Sequence, residues 1–277
     1  MTRIPFGVRR LDQIISGGAP PGSVVLLSGE AGAGAREFMY TSAAMTGLAL
    51  SDEDAFELYY GDLNRESSLP GAVHYLSFTD EAAKLRRDMS MTMDEELVAN
   101  ALEAVEFHDL SEPYYRLSPV PRDWYTDASV EISDLGADND RRTVPEALGE
   151  RLAASAPGNL MLVDSLTDLV TTTEGFDWSD VSVLLRGLSR VAYDWGGLVL
   201  LLANRETLTD SEHGQLVDAV DGTMQFSWEA GGSSLARVMV VRQFRGVLSR
   251  LEAESIVRFE TEISDTGFDI SDVRKIR

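Results

Sequence analysis

The chain has 277 residues, 44% of them hydrophobic, which is typical of a folded protein with a substantial core and excludes a disordered chain. It contains no cysteine, so disulfides and thiolate metal sites are excluded, and its three histidines lie so far apart in sequence that a histidine-based metal site is not expected. Forty-six acidic residues against 24 basic ones give a net charge of −22, which disfavours binding to nucleic acid or to anionic membranes.

The N-terminal residues and the apolar runs predict a cytoplasmic protein with no membrane span. Residues 1–10 lack the apolar core of a secretion signal, and the longest apolar run, residues 198–203, is too short to cross a bilayer. The basic residues are nearly all arginine, since only Lys84 and Lys275 are lysines. Such acidity with so little lysine resembles the proteins of salt-loving archaea, and we favour that interpretation over an acidic patch that recognises a partner.

The first half of the chain alternates apolar strands with amphipathic helices. The predicted elements are a short helix within residues 4–15, a strand over 23–29, a helix over 35–48, a strand over 72–78, a helix from 79, and a helix over 92–107 opened by a capping box of Thr92 and Glu95. Residues 110–133 are predicted to hold one or two short strands.

The second half continues this alternation and then changes to β-hairpins. The predicted elements are a helix over 143–155 opened by a capping box of Thr143 and Glu146, a strand over 159–165, a helix over 179–195 ended by two glycines, a strand over 198–206, and hairpins within 222–246 and 255–270. This order predicts an α/β fold with a mainly parallel sheet, helices on both of its faces and an antiparallel C-terminal extension. We predict a single domain over residues 1–277.

The stretch GEAGAGAR, residues 29–36, has the spacing of a phosphate-binding P-loop, G-x-x-x-x-G-K-[ST]. It lies between a predicted strand and a predicted helix, as a P-loop requires, and such a loop holds phosphate by its backbone N–H groups and the positive end of the helix. We therefore predict a site for ATP or ADP. Its predicted residues are Gly29, Glu30, Ala31, Gly32, Ala33, Gly34, Ala35, Arg36 and Glu37.

Two positions of this loop depart from the P-loop pattern. Ala35 replaces the lysine that would contact the phosphates, and Arg36 replaces the hydroxyl residue that would hold Mg²⁺, so Mg²⁺ binding is doubtful and ordinary hydrolysis should be severely impaired. Three interpretations of Arg36 remain open. The loop is only a structural turn, with Arg36 solvated or paired to a carboxylate; or Arg36 replaces Mg²⁺ as a fixed cation; or catalysis persists with a cation from elsewhere.

Two carboxylate positions follow apolar strands. Asp164 ends the strand LMLVD and could lie beside the loop to hold Mg²⁺ through water, although an Asp that caps the next turn is the alternative. After the strand over 72–78, Asp80 or Glu81 could orient an attacking water as a general base. For that segment we prefer the interpretation that Thr79 or Asp80 caps the following helix.

Arg245 lies in QFRG, residues 243–246, at the end of an apolar strand. It could reach across a subunit interface to a neighbour's nucleotide as an arginine finger. A surface arginine before a glycine turn explains it equally well.

Taken together, these residues resemble the KaiC/RadA branch of the RecA-like ATPases, and the KaiC type more than the recombinases. IPFGVRRLDQIISGGAPPGSVVLLSGEAGAGA resembles the entry segment and P-loop of that family, HYLSFTDEAAKLRRDM its catalytic-carboxylate strand, LMLVDSLTDLV its Walker B strand, and VVRQFRG its Lys-x-Arg-Gly strand. The similarity spans essentially the whole chain, and it also resembles a haloarchaeal group labelled "HTR-like". It implies a RecA-like fold, nucleotide between subunits of a ring, and Asp164 and Arg245 as retained site residues.

The chain departs from the family at four nucleotide-handling positions. The P-loop Lys and Ser/Thr positions are Ala35 and Arg36, the paired catalytic glutamates fall on Thr79 and Asp80, and the interface lysine falls on Gln243. Four such changes indicate a pseudo-ATPase, so the hydrolysis and autokinase activity of the family are not expected here.

Three functions remain as hypotheses. The leading one is a regulatory or scaffold protein that acts through protein partners, by assembling with itself or with an active KaiC-like paralogue. The second is an atypical ATPase that depends on Asp164, Asp80 and Glu81. The third is a nucleic-acid module, which the acidic loop predicted over residues 205–218 opposes because it carries four acidic residues against one arginine.

Overall fold

All nine strands of the computed structural model belong to one sheet; the model describes residues 2–116, 118–125, 143–172, 176–231, 234–247, 251 and 258–274. The strands are β1 (Ser23–Gly29), β2 (Val73–Ser77), β3 (Val105–Asp109), β4 (Leu160–Asp164), β5 (Leu198–Asn204), β6 (Gly222–Gly231), β7 (Ser234–Phe244), β8 (Arg258–Ser264) and β9 (Gly267–Arg274). Their order is β3-β2-β4-β5-β1-β6-β7-β8-β9. Neighbours from β3 to β6 are parallel, and those from β6 to β9 are antiparallel. The predicted fold class is therefore confirmed.

Ten α-helices flank this sheet within the described residues. They are α1 (Arg9–Ile14), α2 (Ala35–Ser51), α3 (Glu53–Tyr59), α4 (Ala82–Thr92), α5 (Glu95–Ala101), α6 (Ser111–Tyr115), α7 (Val144–Ser155), α8 (Leu166–Thr172), α9 (Trp178–Trp195) and α10 (Asp210–Ala219). No helix in the described part of the chain has the length and apolar character needed to cross a membrane.

The sheet separates two apolar cores, because alternate side chains of each buried strand point to opposite faces. Val25 and Leu27 of β1 enter the core formed with α1 to α5, whereas Val24 and Leu26 enter the core formed with α6 to α10. Both faces of the parallel strands are covered, which explains why their sequences are almost continuously apolar.

The carboxyl ends of the parallel strands meet at one edge of the sheet. The loop after β1, Asp164 at the end of β4 and Asn204 at the end of β5 all lie there. In sheets of this kind ligands bind at that edge, where strand order reverses. The fold therefore brings the candidate P-loop and Asp164 to the same place.

Several predicted elements have different bounds or types in the structure. The helix predicted over 92–107 is the shorter α5, whose cap is Asp94 rather than Thr92, because Thr92 Oγ1 donates to the Asp88 carbonyl at the end of α4 (2.9 Å) and residues 105–109 form β3. The capping box at Thr143 is confirmed.

Two short irregular segments differ from the sequence prediction. The strands predicted within 110–133 are wrong for residues 110–125, which hold α6 and a 3₁₀ turn at Arg122–Trp124; residues 126–133 lie outside the described residues. The predicted loop over 205–218 is a 3₁₀ turn at Arg205–Thr207 followed by α10.

Candidate functional site

The candidate P-loop connects β1 to α2 in a tight glycine-rich turn. Gly34 is the N-cap of α2 with φ 108°, a left-handed conformation that favours glycine, and a Cβ there would lie 3.0 Å from the Phe268 ring. The first turn of α2 therefore begins directly at the loop, with its N-terminal amides at the edge of the sheet. This geometry matches the strand, loop and helix predicted from the sequence.

Arg36 leaves the first turn of α2 and reaches the end of β4. One guanidinium nitrogen of Arg36 lies 2.8 Å from Asp164 Oδ1. The side chain of Asp164 is only 4% exposed, whereas that of Arg36 is 50% exposed, so the guanidinium screens the carboxylate from the cleft. Arg36 is thus paired to a carboxylate, as the interpretation of the loop as a structural turn also expects, while half of its side chain stays exposed.

The second oxygen of Asp164 is held by a buried tyrosine. Tyr75 Oη donates to Asp164 Oδ2 at 2.8 Å from the middle of the neighbouring strand β2. Burial, and then the negative charge of Asp164, raise the pKa of Tyr75 well above its usual range, so the phenol stays a neutral donor. Both carboxylate oxygens of Asp164 are therefore engaged within the chain, one by Arg36 and one by Tyr75.

The candidate catalytic carboxylates after β2 are arranged differently from the sequence prediction. The N-cap of α4 is Glu81, and its side chain makes no capping hydrogen bond. Asp80 Oδ2 lies 2.9 Å from Lys84 Nζ, while the Asp80 amide donates to Ser77 Oγ at 2.9 Å. The preferred interpretation, a cap by Thr79 or Asp80, is therefore wrong, and the Asp80 carboxylate is neutralised by a lysine one turn along α4.

Arg245 lies at the opposite edge of the sheet from the loop. It follows β7, whose last residue Phe244 pairs with Gly222 at the start of β6. Its guanidinium lies 3.4 Å from Asp221 Oδ1, and its side chain is exposed. From Val24, at that edge, to Gly29 is roughly 17 Å along β1. Arg245 therefore does not join the loop of its own chain.

The loop is also contacted by three side chains that were not predicted from the sequence. Glu206 Oε2 accepts the Ala31 amide at 3.1 Å, Trp228 Nε1 donates to the Ala31 carbonyl at 3.0 Å, and Arg237 Nε donates to the Gly32 carbonyl at 3.0 Å. The Arg237 guanidinium also lies over the Trp228 ring, 4.6 Å from its centre. For Trp228 and Arg237, only the strand pairing could have predicted the contact with the loop, because the two residues are cross-strand partners in a hairpin that extends past the loop.

A cleft of about 310 Å³ opens at this edge of the sheet. It is lined by Gly29, Glu30, Ala31, Gly32, Gly34, Ala35, Arg36, Glu37, Ser165, Leu202, Ala203 and Asn204. All the predicted loop residues except the buried Ala33 therefore line one cleft, together with Ser165, which follows β4, and residues at the end of β5; Asp164 itself does not line it. Asp80, Glu81 and Arg245 do not line it.

The expectation that the histidines stay apart is wrong for two of them. His74 on β2 and His108 on β3 lie close enough to hydrogen-bond, with 3.0 Å between His74 Nδ1 and His108 Nε2. Strand pairing brings them together across 34 residues of sequence.

Comparison with known proteins supports the fold and no narrower assignment. No protein-family model matches the chain, and no curated protein matches it. The crystal structure of a KaiC-like protein from the hyperthermophilic archaeon Pyrococcus horikoshii OT3 is similar, with a TM-score of 0.62 and 16% identity over 98% of this chain and 99% of that chain. The chain therefore has a KaiC-like RecA fold, as the sequence resemblance implied.

Proposed function

We propose that this protein is a cytoplasmic KaiC-like pseudo-ATPase that binds ATP or ADP without Mg²⁺ and acts as a regulatory or scaffold protein. The proposal includes its place among the degenerate haloarchaeal members labelled HTR-like, which its acidity and its two lysines support. The fold, shared with a KaiC-like protein, is its starting point.

The observation that carries the proposal is the ion pair between Arg36 and Asp164, with 2.8 Å between nitrogen and oxygen. In a P-loop ATPase the Asp at the end of this strand and the hydroxyl after the lysine hold Mg²⁺. Here the hydroxyl is replaced by Arg36, and Asp164 is engaged by Arg36 and Tyr75. These residues do not fit a Mg²⁺ ion, whereas a fixed guanidinium beside helix N-terminal amides fits an anionic ligand.

The loop also lacks the lysine whose positive charge phosphoryl transfer requires. Ala35 has no charge and is buried. Developing negative charge in the transition state is normally stabilised by both the lysine and the metal, so binding without turnover is the expected outcome. Asp80 is paired with Lys84 at 2.9 Å and does not line the cleft, so its carboxylate is not placed beside the loop to act on an attacking water.

Calorimetric titration of ATP and ADP, in roughly molar KCl with and without Mg²⁺, tests the proposal. We expect binding that does not depend on Mg²⁺ and that disappears in Arg36→Ala. Since Arg36→Ala leaves the buried Asp164 without its cation, the double variant Arg36→Ala/Asp164→Asn should be measured beside it, because it removes both charges together. Arg186→Ala is the control for the loss of one arginine charge, since Arg186 forms a 3.1 Å pair with the exposed Asp218, far from the loop in sequence.

Further variants distinguish a loop that binds nucleotide without Mg²⁺ from a loop that binds no nucleotide. Ala35→Lys/Arg36→Ser rebuilds the P-loop pattern and should make nucleotide binding depend on Mg²⁺. Failure of the wild-type chain to bind nucleotide in either condition would contradict the metal-free site. Turnover of ATP that is lost in Asp164→Ala would contradict the pseudo-ATPase and favour an atypical enzyme.

A further inference from the structure

Three potential metal ligands meet on the edge of the sheet formed by β2 and β3. Their ligand atoms, His74 Nδ1, Glu106 Oε2 and His108 Nε2, all lie within 4.8 Å of one another. His74 Nδ1 lies 3.0 Å from His108 Nε2 and 3.3 Å from Glu106 Oε2. This cluster is separate in sequence and position from the P-loop cleft, which none of its residues lines.

Strand register produces the cluster. His74 is the direct partner of Glu106, and His108 lies two residues further along β3 on the same face. All three side chains therefore project from the face that α7 covers, where Leu76 packs with Leu148 and Leu152. Two backbone segments that are hydrogen-bonded to each other fix the three ligands, so little ordering would be needed to bind an ion.

Two of the three separations between ligand atoms suit tetrahedral coordination, and the third is within 4.8 Å. Nitrogen and oxygen ligands lie about 2.0–2.2 Å from Zn²⁺, which places neighbouring ligand atoms about 3.3 Å apart in a tetrahedron. The 3.0 and 3.3 Å separations are close to this spacing before any rearrangement. The Glu106 side chain is 64% exposed, so the fourth position faces solvent and would take water.

The surroundings favour neutral imidazoles in fixed positions. Burial lowers the pKa of both His74 and His108, to about 4 for His108, and the charge of Arg151 on α7 acts in the same direction. The other ring nitrogen of His74 lies 3.4 Å from Asn159 Nδ2, which also donates to the Ser155 carbonyl at 2.8 Å. Since this amide nitrogen is a donor, it fixes the His74 ring with the proton on Nδ1, and that proton must leave Nδ1 when a metal ion binds there.

The geometry points to a binding site for a divalent transition-metal ion of the Zn²⁺ class, held by His74 Nδ1, Glu106 Oε2 and His108 Nε2. The ion replaces the proton that joins the two imidazoles. It links the edge strand β3 to β2, and it stabilises the folded chain increasingly as the free metal concentration rises above the Kd. This inference does not depend on the proposed function at the P-loop.

The inference is tested on the full chain after chelation has removed any metal. Equilibrium dialysis measures Zn²⁺ binding, and visible absorption measures Co²⁺ binding. We expect one tight equivalent of metal, a tetrahedral Co²⁺ spectrum and a higher melting temperature with Zn²⁺. His108→Asn and Glu106→Gln should each weaken binding by more than about 100-fold, beyond the effect typical of an outer-shell change. His74 is buried, so the exposed Glu106 gives the variant that is safest for the fold.

Two controls separate this site from the acidic surface. Glu103→Gln removes an exposed carboxylate three residues before Glu106, and His213→Gln removes the histidine outside the cluster. Both variants should keep the tight equivalent and the Co²⁺ spectrum. The inference is overturned if neither metal binds above the weak surface level, or if Glu106→Gln and His108→Asn bind as the wild type does.

Discussion

At the scale of single residues, the loop is defined by which charges reach its backbone. The guanidinium of Arg36 supplies positive charge at the start of α2, but the carboxylate of Glu206 accepts the Ala31 amide at 3.1 Å. A carboxylate beside an anion site repels phosphate, and it also occupies a backbone donor. Glu206 therefore competes with any anionic ligand for the loop.

We predict that Glu206→Gln strengthens the binding of ATP and ADP, by about two- to five-fold, since an exposed charge acts weakly through solvent. Calorimetry at two KCl concentrations measures the effect, which should be larger at the lower one because salt screens the repulsion. Glu57→Gln, at an exposed position on α3, changes the net charge equally and should leave affinity unaltered. Equal affinities for Glu206→Gln and wild type would mean that this carboxylate does not compete with phosphate.

At the scale of elements, what the sequence could predict depends on how local the signal is. β1, β4, β5 and α9 were predicted almost to their ends, because continuous apolar runs and a helical stripe are carried within each segment. The start of α5 was misplaced because Thr92 and Asp94 are both good caps, and the choice depends on where α4 ends.

Contacts between distant segments were beyond the sequence. The P-loop and Asp164 could be placed together because both follow parallel strands. The contact of Trp228 and Arg237 with the loop depends on how far β6 and β7 extend past β1, and the pairing of His74 with His108 depends on the register of β2 and β3. No short-range pattern encodes either quantity.

The crossing of α2 and α5 gives a prediction about stability. A Cβ on Gly47 would lie 2.3 Å from the Ala101 carbonyl oxygen. The two helices are therefore so close at this point that only glycine fits. Gly47→Ala should destabilise the fold by roughly 1–3 kcal/mol through overpacking. Gly187→Ala in α9 meets nothing within 4 Å and should stabilise by about 0.5–1 kcal/mol. Thermal unfolding in the same KCl concentration should therefore shift in opposite directions, and a shift in the same direction would contradict the close crossing.

At the scale of the whole molecule, the residues of the proposed nucleotide site lie at the two opposite ends of the parallel strands. The loop, Arg36 and Asp164 lie at one end of the strands, whereas Arg245 lies at the other end, separated from them by roughly 17 Å along the strand direction. A side chain at the far end can act on nucleotide only if a neighbouring copy presents its loop there. The net charge of −22 opposes such contact between copies unless salt screens it.

We therefore predict that the chain associates with itself in roughly molar KCl with ATP, and that it dissociates near 0.1 M KCl, where the Debye length reaches about 10 Å. Sedimentation velocity measures the association at each salt concentration. Arg245→Ala should weaken it in the presence of ATP, whereas Arg242→Ala, which removes an exposed arginine of β7 bonded to Gln225 at 3.0 Å, should not. If the two variants associate equally, Arg245 does not contact the nucleotide of a neighbouring copy. If the chain stays monomeric under all these conditions, the proposed partner is an active KaiC-like paralogue rather than a second copy. Addition of this chain should then change the ATPase rate of that paralogue, and the change should be lost in Arg245→Ala.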